Sequence, residues 1–367
     1  MTGTRRAAAC SLAVLIAAGF LVAPSAVTQR GLRAEFAATI ASLSEDGGYF
    51  DTDNLISNER SYAEPMAALA ADGLAGGVYV GVGPDQNFSY IARLRPSTAY
   101  VLDIRRDNLL LHLLFKALFE LADTRADYLC LLVGCTVPAE RRAALADAGP
   151  AELAAWIDGA RRGGVAREDP RVPGLVAGFG VSLSPEDREA LGRFHRSFLD
   201  DGLDLKFHSF GRPPQRLYPA YRDLMMERDP GGQFAHFLAS ERTYAVVRDL
   251  QRRDRVIPLV GDLAGATTLA ALARRLDAEG ARVSAVYVSN VEYYLFGGDR
   301  FDGFAANLAR LPRHPGAVLL RAIFQTAGGS VRAGYGSTSV AVPVEGLLRA
   351  RAAGAVRSYG DLLNPGR

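Results

Sequence analysis

The chain has 367 residues, of which 49% are hydrophobic and 22% are charged, a globular composition that excludes an intrinsically disordered protein. Its 42 basic and 40 acidic residues leave a net charge of +2, which gives no electrostatic support for nucleic-acid binding. The three cysteines and five histidines match no zinc-binding spacing, so we expect no protein-bound metal. We interpret Cys130 and Cys135 as ordinary buried thiols in preference to a disulfide.

An apolar segment follows an arginine pair near the start of the chain. Residues 7–29 carry no charge, and their core SLAVLIAAGFLV is apolar enough to enter a bilayer. The sequence therefore predicts a signal peptide or membrane anchor over residues 1–29, with its signal-like part at 5–27. We expect an exported or membrane-anchored protein, with the side of the membrane left open. A mis-assigned start codon or a buried N-terminal helix is the alternative.

From about residue 74 the sequence alternates between strand-like and helix-like stretches, the pattern of a parallel sheet covered by helices. GGVYVGVG is the first predicted strand, and AYVLDIR, which includes Asp103, is the second. PDQNFSYIARL predicts a turn and a helix between them. RRDNLLLHLLFKALFELAD predicts a buried helix, because it is apolar on most of its circumference. Asn108, His112 and Lys116 form a polar stripe on that helix, and we expect His112 and Lys116 on a solvated or lid-contacting face.

The next stretch differs in composition. Residues 124–255 are helical in pattern and rich in alanine and arginine, and they are too long for a plain connection. We interpret them as a helical insertion between strands 2 and 3 that leaves the sheet at its carboxyl edge, where open α/β sheets bind ligands. Such an insertion is either a lid or substrate wall, or a packing addition remote from any site.

Three further strands are predicted in the last third of the chain. They are VIPLVGDLAG, VSAVYVSNVEYYL and GAVLLRAIF, separated by the helices TTLAALARRLDAEG and FDGFAANLARL, and AGYGSTSVAVPV is a candidate closing strand. The predicted fold is therefore α/β, a doubly wound and mainly parallel sheet with a helical insertion. Its predicted parts are the N-terminal segment 1–29, the first part of a Rossmann-like domain 30–123, the insertion 124–255 and the second part 256–367.

Glycines at the end of the first predicted strand mark a candidate ligand site. Gly81 and Gly83 lie where the strand gives way to a helix, so a ligand can approach the backbone and the helix N-terminus favours polar or negative groups. Twenty residues after Gly83, Asp103 ends the second strand at the spacing of an acid that binds the ribose of a nucleoside cofactor. A tight glycine turn with a helix N-cap at Asp103 is the alternative.

The next two strands also end in polar residues. Asp262 follows the third predicted strand, and SNVEYY, residues 289–294, follows the fourth. Because four consecutive strands deliver polar groups to one edge of a parallel sheet, we expect a ligand site there. Glu292 is a candidate general base, whereas the sequence contains neither a G-x-S-x-G nucleophile elbow nor a P-loop.

Together these motifs resemble the class I S-adenosylmethionine-dependent methyltransferase fold and, more narrowly, an uncharacterised bacterial family with that fold. The resemblance covers residues 35–330 and rests on GVGPDQNFSYI, LDIRRDN, HLLFKALFE, YPAYRDLM, VGDLAG and VSNVEYYLF. It implies S-adenosylmethionine as cofactor. The cofactor-binding residues it implies are Gly81, Gly83, Asp85 and Asn87, with Asp103 on the ribose and Asp262 near the adenine. The catalytic residues it implies, on the methyl-acceptor side, are Asn290, Glu292 and Tyr293.

The resemblance implies a methyltransferase acting on an unknown small molecule or envelope component. Two departures favour an alternative, since Tyr79 replaces the acid usual before the first glycine and Asp85 replaces the usual third glycine. That alternative is a non-catalytic ligand- or protein-binding module of the cell envelope that keeps the fold. A nicotinamide-dependent oxidoreductase is a lesser candidate, against which the missing third glycine counts. We expect no nucleic-acid partner, and membrane contact through the N-terminal segment.

Overall fold

The computed structural model describes residues 26–71, 74–164, 166–211, 216–324, 331–332 and 334–363, which fold around one six-stranded sheet. The strands are β1 (Val78–Val82), β2 (Thr98–Asp103), β3 (Val256–Val260), β4 (Val283–Tyr287), β5 (Arg313–Phe324) and β6 (Ser337–Pro343). Their order across the sheet is β3-β2-β1-β4-β5-β6.

All strands of the sheet except β6 run parallel. β1 pairs with both β2 and β4, β3 lies outside β2, and β5 lies outside β4. β6 forms from the candidate closing strand and pairs antiparallel with β5, with Phe324 opposite Ser337. The prediction of an α/β fold with a mainly parallel sheet is therefore confirmed.

Helices form most of the remaining described chain. In chain order they are α1 (Ala26–Leu43), α2 (Met66–Ala71), α3 (Gln86–Leu94), α4 (Arg106–Leu121), α5 (Arg125–Val133), α6 (Arg142–Asp147), α7 (Pro150–Arg162), α8 (Val172–Gly178), α9 (Pro185–Asp201), α10 (Tyr221–Met226), α11 (Glu241–Arg252), α12 (Thr268–Glu279), α13 (Val291–Gly297), α14 (Phe301–Arg310), α15 (Val344–Ala352) and α16 (Tyr359–Leu363). The helices α5 to α11 fall within residues 124–255, so the helical character predicted for that stretch is confirmed.

The central strands are buried on both faces. Every residue of β1, β3 and β4 is buried, and because successive side chains of VYVGV, VIPLV and VSAVY point to opposite faces, both faces must be covered. Phe88 of α3 packs edge-on against Phe115 and Phe119 of α4, with ring centroids 5.7 and 5.5 Å away. Full burial of a side chain such as phenylalanine contributes roughly 1.5–3 kcal/mol. This packing fixes the strand ends that carry the site.

Cys130 and Cys135 form a disulfide, so the prediction of separate thiols is wrong. Gly134, with a φ of 80°, ends α5 in the left-handed conformation and turns the chain back on itself. The backbone N–H groups of Gly134 and Cys135 then both donate to the Cys130 carbonyl oxygen at 2.8 Å. As a result the two cysteine Cα atoms lie 4.4 Å apart, a separation that a disulfide spans.

The predicted signal peptide or anchor lies almost wholly outside the described residues, which begin at Ala26 in α1. Among the residues that are described, no helix combines the length and the apolar character needed to cross a bilayer. Export or membrane anchoring therefore stays a prediction.

We expect the disulfide to stabilise the fold measurably. Cys130 and Cys135 are separated by 5 positions, and closing so short a loop removes unfolded-chain entropy worth roughly 2 kcal/mol. Cys135→Ser should therefore lower the free energy of unfolding in urea by about that amount, whereas Cys10→Ser, as control, should not. Thiol titration of the denatured, unreduced chain should detect no thiol besides Cys10. Detection of three thiols in protein made in an oxidising compartment would contradict the pairing.

Candidate functional site

The carboxyl ends of β1, β2, β3 and β4 meet at one edge of the sheet, named here the carboxyl edge, because these strands are parallel. The strand order reverses at β1, with β2 and β3 on one side and β4 and β5 on the other. Such a reversal is the place where open α/β sheets bind ligands. Gly83, Asp103, Asp262 and Asn290 lie at or directly after these strand ends, so the structure brings the predicted residues to one edge.

The glycine turn after β1 is filled by the protein's own side chains. The Asn87 side-chain amide donates to the carbonyl oxygens of Val82 at 2.9 Å and Pro84 at 2.7 Å. The Tyr79 hydroxyl donates to Asn87 Oδ1 at 2.9 Å, and a Cβ atom on Gly81 would lie 1.9 Å from that same oxygen. Gly81 is therefore required for packing inside the turn, and Asn87 holds the turn together.

The carboxylate of Asp103 is occupied by neighbouring residues. Arg105 donates to Asp103 Oδ1 from its backbone N–H at 2.9 Å and from Nε at 3.2 Å, and to Oδ2 from Nη2 at 2.8 Å. The Asn54 side-chain amide nitrogen lies 3.4 Å from Oδ2 and 3.5 Å from where a Cβ on Gly83 would be. Asn54 thus lies between the glycine turn and the acid, where the predicted ribose would bind.

Residues 44–54, named here the covering segment, lie along this part of the carboxyl edge. The Arg105 Nη1 group donates to the Thr52 carbonyl oxygen at 2.7 Å, and the Gly48 N–H donates to the Ile104 carbonyl oxygen at 2.7 Å. A side chain at position 48 would collide with Ile104, since its Cβ would be 2.6 Å from Cγ1. The segment is therefore closely packed against the end of β2 and the start of α4.

Asp262 is also engaged within the protein. Its Oδ1 accepts from the Ala264 N–H at 2.8 Å and its Oδ2 pairs with the Arg300 guanidinium, while its own N–H donates to Glu45 Oε1 at 2.7 Å. These contacts hold the loop after β3 against the covering segment. An adenine bound at Asp262, as predicted, would have to share the Asp262 carboxylate with Arg300.

Asp85 faces a buried group of tyrosines. It is 1% exposed, its carboxyl interacts electrostatically with Tyr62, Tyr128 and Tyr221, and burial raises its pKa to about 7. The Tyr221 hydroxyl is the hydrogen-bonding neighbour of the Asp85 carboxyl, and this contact partly offsets the effect of burial on the Asp85 pKa. A cofactor contacted by Asp85 would therefore have to reach into this buried group of tyrosines.

The polar stripe of α4 is buried, so the prediction of a solvated face is wrong, whereas Lys116 contacts Asp254 of the predicted helical stretch 124–255. Asn108, His112 and Lys116 are each at most 2% exposed. His112 Nε2 lies 2.9 Å from the Gly83 carbonyl oxygen, and burial lowers the pKa of His112 to about 4, so the ring is neutral at pH 7. The Lys116 ammonium pairs with Asp254 at 2.6 Å. Partners on other elements allow the His112 ring and the Lys116 ammonium to be buried.

A buried carboxylate lies beneath the end of β4. Glu59 is 1% exposed, and burial raises its pKa to about 7. The Tyr287 hydroxyl donates to Glu59 Oε2 at 2.8 Å, and the half-buried Ser289 hydroxyl donates to Oε1. Ser289 has a φ of 52°, and its hydroxyl oxygen lies 3.4 Å from Asn290 Oδ1. Asn290 is thus adjacent to an acidic network that includes a strained serine.

The two other predicted catalytic residues, Glu292 and Tyr293, lie in different environments. Glu292 is buried against Arg321, whose Nε lies 2.8 Å from Glu292 Oε2, and burial outweighs this attraction and raises the pKa of Glu292 to about 7. Tyr293 lies on the surface with 47% of its area exposed. Tyr359 joins these two regions, because its ring centroid is 5.4 Å from that of Tyr293 and its hydroxyl interacts electrostatically with Glu292.

A cavity of about 780 Å³, named here the aromatic groove, opens beside α13. Its aromatic lining consists of Tyr293, Tyr294, Phe296, Phe301 and Tyr359. Its polar lining includes Asp299, Asp302, Arg351, Arg357 and Ser358. The volume lies within the range of small-molecule sites, and the exposed Tyr293 and Tyr294 place ring surface in contact with solvent.

Sequence reasoning missed four residues of this region: Asn54, Glu59, Arg321 and Tyr359. None belongs to a motif, and each reaches the carboxyl edge or the groove from a segment distant in sequence from the residue it contacts. Asn54 and Glu59 lie in the polar stretch before β1, which resembles an ordinary loop in the sequence. Only their proximity in the folded chain identifies these residues, and the sequence alone carries no signal for it.

Comparison with known proteins gives one family match. A family model described as "Domain of unknown function (DUF7790)" matches residues 55–147 and 200–341, more than half of the chain. The match includes Glu59, Asp85, Asp103 and Ser289, and leaves out residues 148–199. No curated protein matches the chain.

We expect Asp85→Asn to stabilise the protein in a pH-dependent manner. The folded chain keeps the Asp85 proton up to a pKa of about 7, whereas the unfolded chain releases it near the ordinary value of 3.8, so wild-type stability falls as pH rises between these values. Asparagine does not ionise. The free energy of unfolding in urea should be higher for the variant than for wild type by roughly 2–4 kcal/mol at pH 8 and by much less at pH 4.5.

The exposed Asp123→Asn substitution is the matched control, because its side chain is 80% exposed. An advantage of Asp85→Asn that is equal at both pH values would show that folding does not raise the pKa of the Asp85 carboxyl, and would contradict the assignment.

Proposed function

Since the chain belongs to the DUF7790 family, a domain of unknown function, we propose its function from the geometry of the site. We propose that it is an exported, envelope-associated protein that binds a saccharide in the aromatic groove. The observation that carries the proposal is the 780 Å³ cavity, whose exposed tyrosine rings adjoin charged and hydroxyl side chains.

The chemistry of the groove suits a sugar. The apolar C–H face of a pyranose stacks on an aromatic ring, and its hydroxyls need donors and acceptors at the ring's margin. Tyr293 and Tyr359 supply adjacent rings at 82° to each other, and Asp299, Arg357 and Ser358 line the same cavity. Neutral hydroxyls accept hydrogen bonds from cations and donate them to carboxylates, so a lining that carries both signs of charge favours a polyhydroxylated ligand over an ionic one.

The disulfide supports a location outside the cytosol. Disulfides persist in oxidising compartments and are rare in the cytosol, and the apolar segment before α1 has the composition of an export signal or anchor. Together they favour the oxidising side of the membrane. A saccharide of the cell envelope is available there, whereas S-adenosylmethionine is made in the cytosol.

The occupied carboxyl edge counts against a nucleoside cofactor. A ribose at Asp103 would have to displace the Asn54 amide and compete with three hydrogen bonds from Arg105. A site built to receive a ribose leaves its acceptor oxygens free. Binding in the groove requires no such displacement.

We propose methyltransferase activity as the second candidate. The strand order with its reversal at β1, and the glycine turn on the same edge as Asp103, favour it. Under this proposal the sheet is a methyltransferase-like, doubly wound one, residues 124–255 are a helical insertion, and Asn290, Glu292 and Tyr293 face the methyl acceptor. The gap of the family match at 148–199 supports an added unit within that insertion. The covering segment would have to move to admit the cofactor. Nothing further favours the nicotinamide-dependent alternative.

A ligand titration separates the two candidates. We expect no saturable binding of S-adenosylhomocysteine, S-adenosylmethionine or NAD to the purified chain in calorimetry, because Asp103 is occupied. Saturable S-adenosylhomocysteine binding that disappears in Asp103→Ala would favour the methyltransferase. Asp169→Ala is the matched control, since it removes an aspartate paired with the arginine two residues later, as at Asp103, but on the surface.

The groove itself is tested on an oligosaccharide array. We expect the purified chain to retain a subset of the saccharides, and Tyr293→Ala and Tyr359→Ala each to weaken that binding roughly tenfold through loss of ring stacking. Phe210→Ala is the control, because Phe210 is an exposed aromatic residue outside the groove lining. Absence of any retained saccharide, or unchanged binding by the tyrosine variants, would refute the proposal.

A further inference from the structure

Ser289 occupies a strained turn between a strand and a helix. It follows β4 by two residues and precedes α13 by two, and its φ of 52° is a left-handed conformation that serine adopts rarely. Its carbonyl oxygen accepts from the Ala322 N–H at 2.8 Å, which ties the turn to β5. A serine held this way between a buried strand and a helix has the local geometry of a nucleophile elbow, although Tyr287 and Val291 replace the flanking glycines.

Glu59 provides a base for that hydroxyl. The Ser289 hydroxyl donates to Glu59 Oε1, and the Tyr287 hydroxyl orients the carboxylate by donating to Oε2 at 2.8 Å. The Glu59 backbone N–H donates to Ser57 Oγ at 3.1 Å, which fixes the residue at its loop. Nucleophile, base and orienting group therefore form a connected chain, the arrangement by which weak hydroxyl nucleophiles are activated.

Ser289 and Glu59 differ in exposure in the way that a nucleophile and its base require. Ser289 is half-buried, so part of the residue is open to solvent, whereas Glu59 is 1% exposed and is shielded from water. The structural alternative is that the two residues merely tie the loop before α2 to β4. That role would not require a strained serine, because a serine in ordinary extended backbone could make the same hydrogen bond.

We propose that Ser289 is a nucleophile and Glu59 its general base, and that the pair hydrolyses carboxylic esters at the end of β4. This activity goes beyond the binding proposed above and stands without it, because none of its residues lines the aromatic groove.

The reaction has two balanced steps. Ser289 Oγ attacks the ester carbonyl carbon while its proton passes to Glu59; the bond from that carbon to the alkoxide oxygen then breaks, and the alkoxide takes the proton from Glu59 and leaves as an alcohol. In the second step Glu59 takes a proton from water, the hydroxide attacks the acyl-serine, and the proton returns to Ser289 as the carboxylic acid departs. No oxidant, reductant or metal enters either step.

The protonation state of Glu59 gives the pair a pH signature. Burial raises its pKa to about 7, and it acts as a base above that pH. The groups facing it from neighbouring elements are the phenols of Tyr79, Tyr90, Tyr287 and Tyr359, whose pKa values burial raises, so they stay neutral near pH 7. Glu292, next to Tyr359, is the other carboxyl of this region with a pKa of about 7, and Arg321 pairs with it.

The test is covalent labelling of the intact, full-length chain with a fluorophosphonate probe, followed by peptide mass spectrometry. The probe forms an oxygen–phosphorus bond at an activated serine and releases fluoride. We expect an adduct at Ser289, and a labelling rate that rises with pH through about 7. Hydrolysis of 4-nitrophenyl acetate should follow the same profile.

Three variants make the result decisive. Ser289→Gly keeps the left-handed turn, because glycine tolerates positive φ, and should abolish both the adduct and hydrolysis. Glu59→Gln should slow labelling by roughly 10²-fold or more and remove the pH step. Ser97→Ala, at an exposed serine of the opposite sheet edge, should label as wild type does. Circular dichroism establishes that each variant is folded.

Several outcomes would overturn the proposal. These are a folded wild-type chain without an adduct at Ser289, a Glu59→Gln variant that labels at the wild-type rate, or a pH step that persists in that variant. The second outcome would leave the Ser289 hydrogen bond with a structural role, and the third would assign the pH step to another group such as Glu292.

Discussion

The ion pair between Asp103 and Arg105 determines how the carboxyl edge of the sheet is used. Both side chains are nearly buried, with exposed fractions of 10% and 7%. Each charge has therefore lost most of its hydration, and the opposite charge compensates for that loss. Arg105 donates its remaining hydrogen bonds to carbonyl oxygens of the covering segment. Removing either partner leaves an uncompensated buried charge, at a cost of about 3–5 kcal/mol. The same pair therefore shapes the end of β2 and holds residues 44–54 over it.

The covering of Asp103 by residues 44–54 changes which ligands the carboxyl edge can bind. A ligand that needs Asp103 must supply the free energy to displace Asn54 and to share the carboxylate with Arg105, and that cost is subtracted from its affinity. At the end of β4, Ser289 and Asn290 are half-buried, as Asp103 is, and Tyr293 is exposed. A strand order that resembles a cofactor-binding sheet therefore does not by itself place a cofactor at β2.

Local patterns predicted the sheet but not the contacts across its edge. Runs such as VYVGV and VSAVY identify buried strands, and a parallel sheet then places Gly83, Asp103 and Asn290 together. The residues that fill this edge come from far away in sequence: Asn54 is 49 residues from Asp103, and Glu59 is 230 residues from Ser289. Periodicity carries no information about such pairs. Lys116 and the Cys130–Cys135 disulfide were mispredicted for the same reason, because an Asp254 partner and a left-handed Gly134 are properties of the folded chain.

Glu59, Asp85 and Glu292 are buried carboxyls that differ in the groups they contact. Burial raises the pKa of Glu59, Asp85 and Glu292 to about 7, so each ionised form is penalised in the folded state. At Glu59 and Asp85, where no neighbouring cation lowers the pKa, glutamine or asparagine would fill the same space without that penalty, and a fold of marginal stability gains nothing structural from a carboxyl that ionises with difficulty. A carboxyl poised between its two states is useful where a proton must be accepted and returned. Of the three, Glu59 is hydrogen-bonded to the hydroxyl of the half-buried Ser289, and this contact distinguishes a group able to accept the serine's proton from one that is merely enclosed.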